Sequence, residues 1–286
     1  MWRLLRLPAA VGVIAYTLWV SGCMEHLFYQ PTAGPTPVPD GFPGGEAVWF
    51  ASADGTRLHG WFLPAAGERR QSAPTILHAH GNAGNIESHI YFTEYLPASG
   101  FNLFIFDYRG YGQSEGSPRK RQALIEDTEA ALDAILARND VDRTRIGLYG
   151  QSLGGSIGLC VMAKRPEIRC AVIESAFTSW RDIAATVLGG GAISQTLASL
   201  MIDDTCRADD AIASIQRPIL LLHGTSDSII PVSHSRRLKE AGGEATSLFE
   251  LPGGDHNSLR DSHPQIDGVV VDFFARHLGV GPEAGS

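Results

Sequence analysis

Cysteine and charge are both scarce in this sequence of 286 residues. It holds four cysteines, and only 19% of its residues are charged. A chain of this length buries a sizeable core, so neither a metal nor a disulfide framework is needed to hold the fold. The sequence also lacks internal repeats and long runs of like charge, which argues against a repeat architecture and a charged interaction tail.

The balance of charge is acidic. Asp and Glu number 31 against 23 Lys and Arg, which gives a formal net charge of −8. Because a negative surface repels phosphate backbones, we do not expect nucleic acid as a partner. With 44% hydrophobic residues, the chain suits one globular α/β domain better than two.

The N-terminus has the parts of a secretory signal. Arg3 and Arg6 precede an uncharged, mostly apolar stretch, Leu7–Val20. A basic start and a short apolar region followed by small residues predict a signal peptide over residues 1–22. The alternative is an uncleaved signal anchor, because the 18 uncharged residues before Glu25 approach the length of a membrane-spanning helix.

The tetrapeptide Val20–Cys23 (VSGC) resembles the processing box of bacterial lipoproteins, with valine in place of the commoner leucine. This resemblance implies cleavage before Cys23 and attachment of a lipid to that cysteine. With either a lipid or an anchor, we expect an extracytoplasmic domain held at a membrane surface, which is then its partner.

The remaining cysteines are Cys160, Cys170 and Cys206. Export permits disulfides, but an odd number leaves at least one thiol free or paired between chains. Cys160 and Cys170 are a candidate pair. Both lie in apolar surroundings, where free cysteines are also common, so the sequence leaves the pairing open.

Residues 23–45 form the predicted tether. Gln30–Gly45 contains five prolines with glycines between them, and proline at this density disfavours helix and central strand. The simplest interpretation is an extended spacer that lifts the domain off the bilayer. The alternative, for the second half of the segment, is a loop wrapped on the surface of the domain.

Residues 46–280 have the alternation of an α/β domain. Asp54-Gly55 is a hairpin signal between two apolar segments, which predicts antiparallel strands at the start. Short apolar segments then alternate with helical patterns such as 124–136, which predicts a mostly parallel, doubly wound sheet. The predicted buried strands are Thr75–His80, Asn102–Phe106, Ile146–Tyr149, Ala171–Ile173, Ile219–Leu222 and Leu248–Leu251.

One segment, about residues 178–217, is too long for a simple crossover between strands. It contains three consecutive glycines and the apolar residues Leu197, Leu200, Met201 and Ile202. We interpret it as a small helical cap over the site, which would shape the substrate pocket.

Ser152 is the candidate nucleophile. It lies in Gly150-Gln151-Ser152-Leu153-Gly154, between a predicted strand and a predicted helix. A tight strand-to-helix turn exposes the serine at the carboxyl edge of the sheet, and flanking glycines allow close backbone approach. The alternative, a serine that only caps the helix, does not explain this placement.

The acid and the base are expected later in the chain, in that order. Asp227 follows a predicted core strand, and His256 follows the predicted last strand, so both lie at the same sheet edge as Ser152. His256 is the expected general base, and Asp227 would fix its tautomer. His263 and His277 are weaker candidates for the base.

An oxyanion hole is expected from the backbone N–H of Leu153 and from the glycine-rich loop after Thr75–Leu77. In that loop Asn82 is the first choice and Ala83 the second. His78 and His80 alternate on one strand, but no carboxylate or third histidine lies near them in sequence. We therefore expect no metal site there.

Several segments, in the order in which they occur along the chain, resemble the α/β-hydrolase-domain family. The resemblance is strongest to the membrane-anchored members of this family and to the bacterial relatives of those members. The segments are HGNAGN (80–85), DYRGYGQSEG (107–116), GQSLGG (150–155), ESAF (174–177), the Asp227 loop and GGDHN (253–257). The resemblance spans residues 47–278 and implies the α/β-hydrolase fold, a Ser152–Asp227–His256 triad and an oxyanion hole at Asn82 and Leu153. It implies structural support from Asp107, Arg109 and Glu174.

The expected activity is two-step hydrolysis of an ester or thioester in a small-molecule or lipid-like acyl substrate, without metal or organic cofactor. Membrane-anchored relatives in the resembled family include protein depalmitoylases. A peptidase acting near a chain terminus is the alternative enzyme. A catalytically silent scaffold on the same fold is the alternative from another class, because fold does not imply function.

Overall fold

The computed structural model describes residues 28–67 and 73–280. The predicted signal segment 1–22 and the predicted lipid attachment site Cys23 lie outside the described residues. Across the described part of the chain, no helix combines the length and the apolar character needed to cross a membrane.

The described strands and helices alternate along most of the chain. The strands are β1 (Gln30–Pro31), β2 (Glu46–Ala51), β3 (Arg57–Leu63), β4 (Thr75–Ala79), β5 (Ala83–Gly84), β6 (Asn102–Asp107), β7 (Ile146–Gln151), β8 (Ile168–Glu174), β9 (Ile219–Gly224) and β10 (Thr246–Leu251). The α-helices are α1 (Ile86–His89), α2 (Arg121–Leu136), α3 (Leu153–Lys164), α4 (Trp180–Val187), α5 (Gly191–Met201), α6 (Ala208–Ala213), α7 (Ser233–Gly242), α8 (Leu259–Ser262) and α9 (Ile266–Leu278).

Eight strands form the central sheet, in the order β10-β9-β8-β7-β4-β6-β3-β2. Strand β3 is antiparallel to both of its neighbours, β2 and β6, and the other pairs are parallel. Strands β4, β6, β7 and β9 are buried at every residue. The predicted parallel sheet with antiparallel N-terminal strands is therefore confirmed.

Helices cover both faces of the sheet, and each face has its own apolar cluster. Leu132 of α2 and Ile157 of α3 belong to the cluster on one face. Phe274 of α9 and Phe101, before β6, belong to the cluster on the other. This three-layer arrangement explains why the central strands are apolar throughout, since both of their faces are covered.

The disulfide differs from the pair considered from the sequence. Cys160 is bonded to Cys206, and Cys170 is a buried free cysteine. A Cys160–Cys170 pair is wrong because the two side chains lie on opposite faces of the sheet: Cys160 is in the cluster that includes Leu132, and Cys170 is in the cluster that includes Phe274. The observed bond ties α3 to the segment after α5.

The proline-rich segment lies against the domain. Strand β1 pairs with β5 in a small parallel sheet, and Ala33 bridges Gly112. Thr36 is fully buried, and its carbonyl accepts a hydrogen bond from the Trp61 indole N–H at 2.9 Å. Residues 28–45 therefore do not stand away from the domain as an extended spacer.

Three helices, α4, α5 and α6, occupy the long connection between β8 and β9. Residues of α4 and α5 line a cavity at the carboxyl edge of the sheet. The segment predicted as a cap is thus helical, and it lies where the carboxyl ends of β4, β7 and β9 converge.

Close packing of α3 on β4 can be tested at one glycine. A Cβ on Gly154 would lie 1.9 Å from the carbonyl oxygen of Ala79, so Gly154→Ala forces the helix away from the strand. We expect a loss of about 3 kcal/mol in the free energy of unfolding, at the upper end of ordinary overpacking, measured by urea denaturation.

The matched control is Gly268→Ala in α9, where a Cβ would meet no atom within 4 Å. Because alanine favours helix over glycine, this variant should gain up to about 1 kcal/mol. Equal urea midpoints for the two variants would contradict the packing argument.

Candidate active site

Ser152 occupies the sharp turn between β7 and α3. Its backbone has φ 54° and ψ −114°, a conformation that residues other than glycine rarely adopt. The backbone N–H of Ser152 donates to the carbonyl of Glu174 at 2.8 Å, which holds the turn against β8. The hydroxyl is thereby presented at the carboxyl edge of the sheet.

The structure brings the three residues predicted as a triad into one hydrogen-bonded series. The Nε2 atom of His256 lies 3.1 Å from Oγ of Ser152, and its Nδ1 atom lies 2.7 Å from Oδ2 of Asp227. A carboxylate only accepts hydrogen bonds, so Nδ1 of His256 carries the proton and Nε2 is free to accept from the serine hydroxyl. The imidazole is therefore placed as a base toward Ser152.

Asp227 is fixed by donors from three directions. Its Oδ1 atom accepts the backbone N–H groups of Ile229 and Ile230 at 2.9 and 2.7 Å. Its Oδ2 atom accepts from His256 and lies 3.2 Å from Nε2 of His223. Burial alone would raise the pKa of this carboxyl, but the hydrogen bonds from His223 and His256 hold the pKa well below its ordinary value. Asp227 is thus ionised at neutral pH.

His223 is a supporting residue that the sequence did not single out. It is the penultimate residue of β9, four residues before Asp227, and is fully buried. Its Nδ1 atom lies 2.7 Å from Oγ of Ser235, and its Nε2 atom lies 2.7 Å from the carbonyl of Ile230. A carbonyl must accept, so Nε2–H points toward the Asp227 loop and stabilises it.

The two residues predicted for the oxyanion hole both line the cavity beside Ser152. Leu153 is the first residue of α3, where a backbone N–H has no partner within the helix. The side-chain amide of Asn82 donates to the carbonyl of Phe28, and the carbonyl of Asn82 accepts from the Tyr111 hydroxyl at 2.7 Å. A contribution from Asn82 to an oxyanion would therefore come from its backbone N–H.

Asp107 anchors the loop that carries Asn82. Its Oδ1 atom accepts the backbone N–H of Ile86 at 2.9 Å. Burial raises the pKa of this carboxyl above its ordinary value. Arg109 acts further away: it donates to Asp127 of α2 and to Asp54 of the β2–β3 turn, each at 2.7 Å. Both residues hold loops in place without lining the cavity.

The histidines considered as alternatives have other roles. His78 and His80 are fully buried, with Nδ1 of His78 at 2.8 Å from Thr93 Oγ1 and Nδ1 of His80 at 2.7 Å from the Gly81 carbonyl. Among the described residues, no three His, Cys, Asp or Glu side chains are grouped to hold a metal ion. His263 contacts the neighbouring Ser262, and His277 packs on Phe273.

A cavity of about 540 Å³ opens above Ser152 and His256. This volume is within the range of small-molecule sites. Its wall is mainly apolar and is formed by α4, α5 and the N-terminal segment. The sequence did not predict the part that Phe28 and Tyr29 of this segment contribute. Other apolar lining residues are Phe177, Trp180, Ile183, Leu188, Leu197 and Ile202.

Comparison with known proteins identifies the family. Residues 74–192 match the family described as alpha/beta hydrolase fold. The uncharacterized protein YfhR of Escherichia coli is 36% identical over 276 residues, which cover 93% of each chain. The alpha/beta hydrolase domain-containing protein WAV2 of Arabidopsis thaliana is 37% identical over 224 residues, covering 74% of this chain and 72% of WAV2. The chain belongs to the α/β-hydrolase family.

Solved structures share the fold of this α/β hydrolase. The esterase Pf2001 of Pyrococcus furiosus superposes with a TM-score of 0.70 at 19% identity, covering 87% of this chain and all of the esterase. A puromycin-hydrolyzing peptidase of Mycobacterium tuberculosis gives 0.67 at 18% identity, covering 84% of this chain and 40% of the peptidase. The family resemblance and the fold predicted from the sequence are confirmed, and the protein is a hydrolase.

Glu174 gives this hydrolase an unusual buried carboxyl close to the site. It ends β8, and the Tyr149 hydroxyl donates to it. Burial raises its pKa to about 7, although the hydrogen bond from Tyr149 and the neighbouring histidines lower it. The carboxyl therefore titrates near neutral pH in the folded chain.

Ionisation of Glu174 should make the protein less stable as pH rises. Between pH 4.5 and about 7 the folded chain keeps a proton that the unfolded chain has lost. The free energy of unfolding should therefore fall across this window, by on the order of 3 kcal/mol. Glu174→Gln removes this contribution, which is measured as the wild-type minus variant difference in urea unfolding at pH 5 and pH 7.5.

Tyr149→Phe serves as the paired variant. It removes a hydrogen bond that lowers the pKa of Glu174 in the folded chain, so the decline should start at the same pH and extend to a higher pH. A wild-type minus Glu174→Gln difference that stays constant with pH would show that Glu174 does not titrate in this window.

Proposed function

We propose that this α/β hydrolase cleaves carboxylic ester or thioester bonds in substrates with an apolar acyl group. Ser152 is the nucleophile, His256 the general base and Asp227 the carboxylate that orients the base. The observation that carries the proposal is the hydrogen-bonded series of these three side chains at an apolar cavity.

The reaction follows from this geometry. Nε2 of His256 takes the Ser152 proton as Oγ attacks the acyl carbon, and the N–H groups of Leu153 and Asn82 stabilise the oxyanion. The tetrahedral intermediate collapses, and the leaving group departs with the proton from His256. A water molecule activated by His256 then attacks the acyl-enzyme, which releases the acid and restores Ser152.

The chemistry of the cavity wall supports an uncharged acyl group. Among the described residues that line it, none is Asp, Glu, Lys or Arg. A charged substrate group would lose its hydration there without a counter-charge. The α-ammonium of a peptide would meet no carboxylate, which favours an ester or thioester over the peptidase alternative.

We also propose that the enzyme is exported and held at a membrane by its N-terminus, through a lipid on Cys23. The basic start, the apolar stretch Leu7–Val20 and the VSGC sequence support this location. Mass spectrometry of the mature N-terminal peptide tests it. A lipid-modified Cys23 is expected, whereas an intact Met1 would show an uncleaved anchor instead.

Removal of the nucleophile or the base should abolish turnover. We expect Ser152→Ala and His256→Gln to lower kcat for a p-nitrophenyl ester by about 10⁴-fold or more, because nucleophile and base act as a unit. A fluorophosphonate probe should label the wild type and leave Ser152→Ala unlabelled.

Ser262→Ala and His263→Gln are the matched controls, since both residues lie away from the cavity, and they should turn over normally. Near-normal turnover in Ser152→Ala would exclude this serine as nucleophile. Faster cleavage of an aminoacyl anilide than of an ester with the same acyl size would favour the peptidase instead.

A further inference from the structure

The cap exposes a group of large apolar side chains, which we term the cap patch. It consists of Val187, Leu188, Ile193, Leu197 and Leu200, from the end of α4 and from α5. Ile193 is 78% exposed, and Val187 and Leu200 are each 73% exposed. Single exposed apolar residues are normal on a protein surface, but five within fourteen residues of the chain are typical of an interaction site.

Helix α5 buries its small residues and exposes its large ones. Ile193, Leu197 and Leu200 have the spacing i, i+4 and i+7 and therefore share one face. All three are exposed, whereas Ser194 and Ala198 are the buried positions among the α5 side chains that the structure describes. The apolar face of α5 is thus directed away from the core of this domain.

Charged residues are absent from the second half of α4 and from α5. The twenty residues from Ile183 to Ile202 include no Asp, Glu, Lys or Arg, although 19% of the whole sequence is charged. A solvated surface helix normally carries charges on its outer face. Twenty consecutive uncharged residues, from the middle of α4 to the end of α5, fit an apolar medium better than water in an acidic protein.

Part of the cap patch also lines the mouth of the active-site cavity. Val187, Leu188 and Leu197 are exposed and line the cavity at the same time. Ile229, next to the loop of Asp227, is half exposed and lines it as well. Whatever covers the cap patch therefore faces the opening through which substrate reaches Ser152.

The described part of the chain begins at this same opening. Phe28 and Tyr29 line the cavity, and β1 fixes the chain directly after them. Cys23 is five residues before Phe28, so the two Cα atoms are at most about 18 Å apart even in a fully extended chain. A lipid on Cys23, or an apolar anchor before it, would hold the cavity mouth beside the bilayer.

We propose that the cap patch docks on the surface of a lipid bilayer, so that acyl substrates pass from the membrane directly into the cavity. The substrate half of this inference rests on the proposed activity, and the orientation of the domain rests on the proposed N-terminal anchor, whereas the exposure of the cap patch rests on neither. The patch enters the interface with its apolar face, as an amphipathic helix does. The tether beside the mouth fixes which side of the domain meets the lipid.

The docking is tested with the full chain in phosphatidylcholine vesicles. The variant Ile193→Cys is labelled with the fluorophore NBD, and vesicles with and without a spin label on the acyl chains are compared. Because an interfacial helix buries its apolar face about 5–10 Å deep, spin-labelled lipid should quench this position at least about threefold more than a position facing water.

Arg143→Cys supplies the water-facing control, because Arg143 is exposed in the turn before β7, at the sheet edge opposite Ser152. Among the described residues the free thiol, Cys170, is buried, and the unsubstituted chain treated with NBD gives the background, including any label on Cys23. Equal quenching at positions 193 and 143 would overturn the docking. Blue-shifted but unquenched emission at position 193 would also overturn the docking. It would show that the patch is covered by protein, either the N-terminal segment of the same chain or a second copy, and not by lipid.

A second variant pair separates docking from catalysis. Ile193 and Leu200 do not line the cavity, so Ile193→Ser with Leu200→Ser should leave hydrolysis of a soluble short-chain ester unchanged. The same variant should lower hydrolysis of a long-chain ester in vesicles by about tenfold, as lost interfacial area predicts. Gln195→Ala with Ser199→Ala, on the polar face of α5, is the matched control and should change neither rate.

If the wild type hydrolyses neither ester, the proposed function fails, while the quenching experiment still decides the docking. If the wild type is active and the Ile193→Ser, Leu200→Ser variant hydrolyses vesicle-borne ester at the wild-type rate, delivery of substrate through the cap patch is excluded.

Discussion

The turn between β7 and α3 is the constraint on which the rest of the site depends. Ser152 has φ 54°, a backbone conformation that costs a non-glycine residue on the order of 1–3 kcal/mol. It persists because α3 is packed tightly on the sheet: a side chain at Gly154 would collide with the backbone of β4, and one at Gly150 would collide with Gly155. The same close approach brings the start of α3 beside the loop of Asn82, so one packing contact positions both Ser152 and the backbone N–H groups proposed as oxyanion donors.

A second set of contacts places His256, the proposed base, opposite this turn. Asp227 orients His256 and is itself held by two backbone N–H groups and by His223. The loop of Asp227 and the loop of His256 follow neighbouring strands, β9 and β10, whose carboxyl ends lie at the same edge as that of β7. A parallel sheet therefore gathers residues from three distant parts of the chain at one edge.

The cap and the N-terminal segment then give the site its surroundings. Both are apolar where they meet the cavity, and both lie at its mouth. The Cys160–Cys206 disulfide ties the cap to α3, the helix that follows Ser152. Helix α3 and the cap therefore connect Ser152 with the wall of the cavity and with the exposed cap patch.

The sequence by itself determined the order of strands and helices and the places of Ser152, Asp227 and His256, because these depend on local patterns: apolar segments of strand length and polar residues directly after them. Only the tertiary structure decided the role of His223, the partner of Cys160 and the contribution of Phe28 to the cavity wall. Each of these depends on contacts between distant residues, such as Cys160 with Cys206, 46 positions apart, and Phe28 with Asn82, 54 positions apart. The sequence did not predict the exposed face of α5 either, because apolar residues at helical spacing normally predict a buried face. Only the packing of α5 shows that small residues, Ser194 and Ala198, face the core.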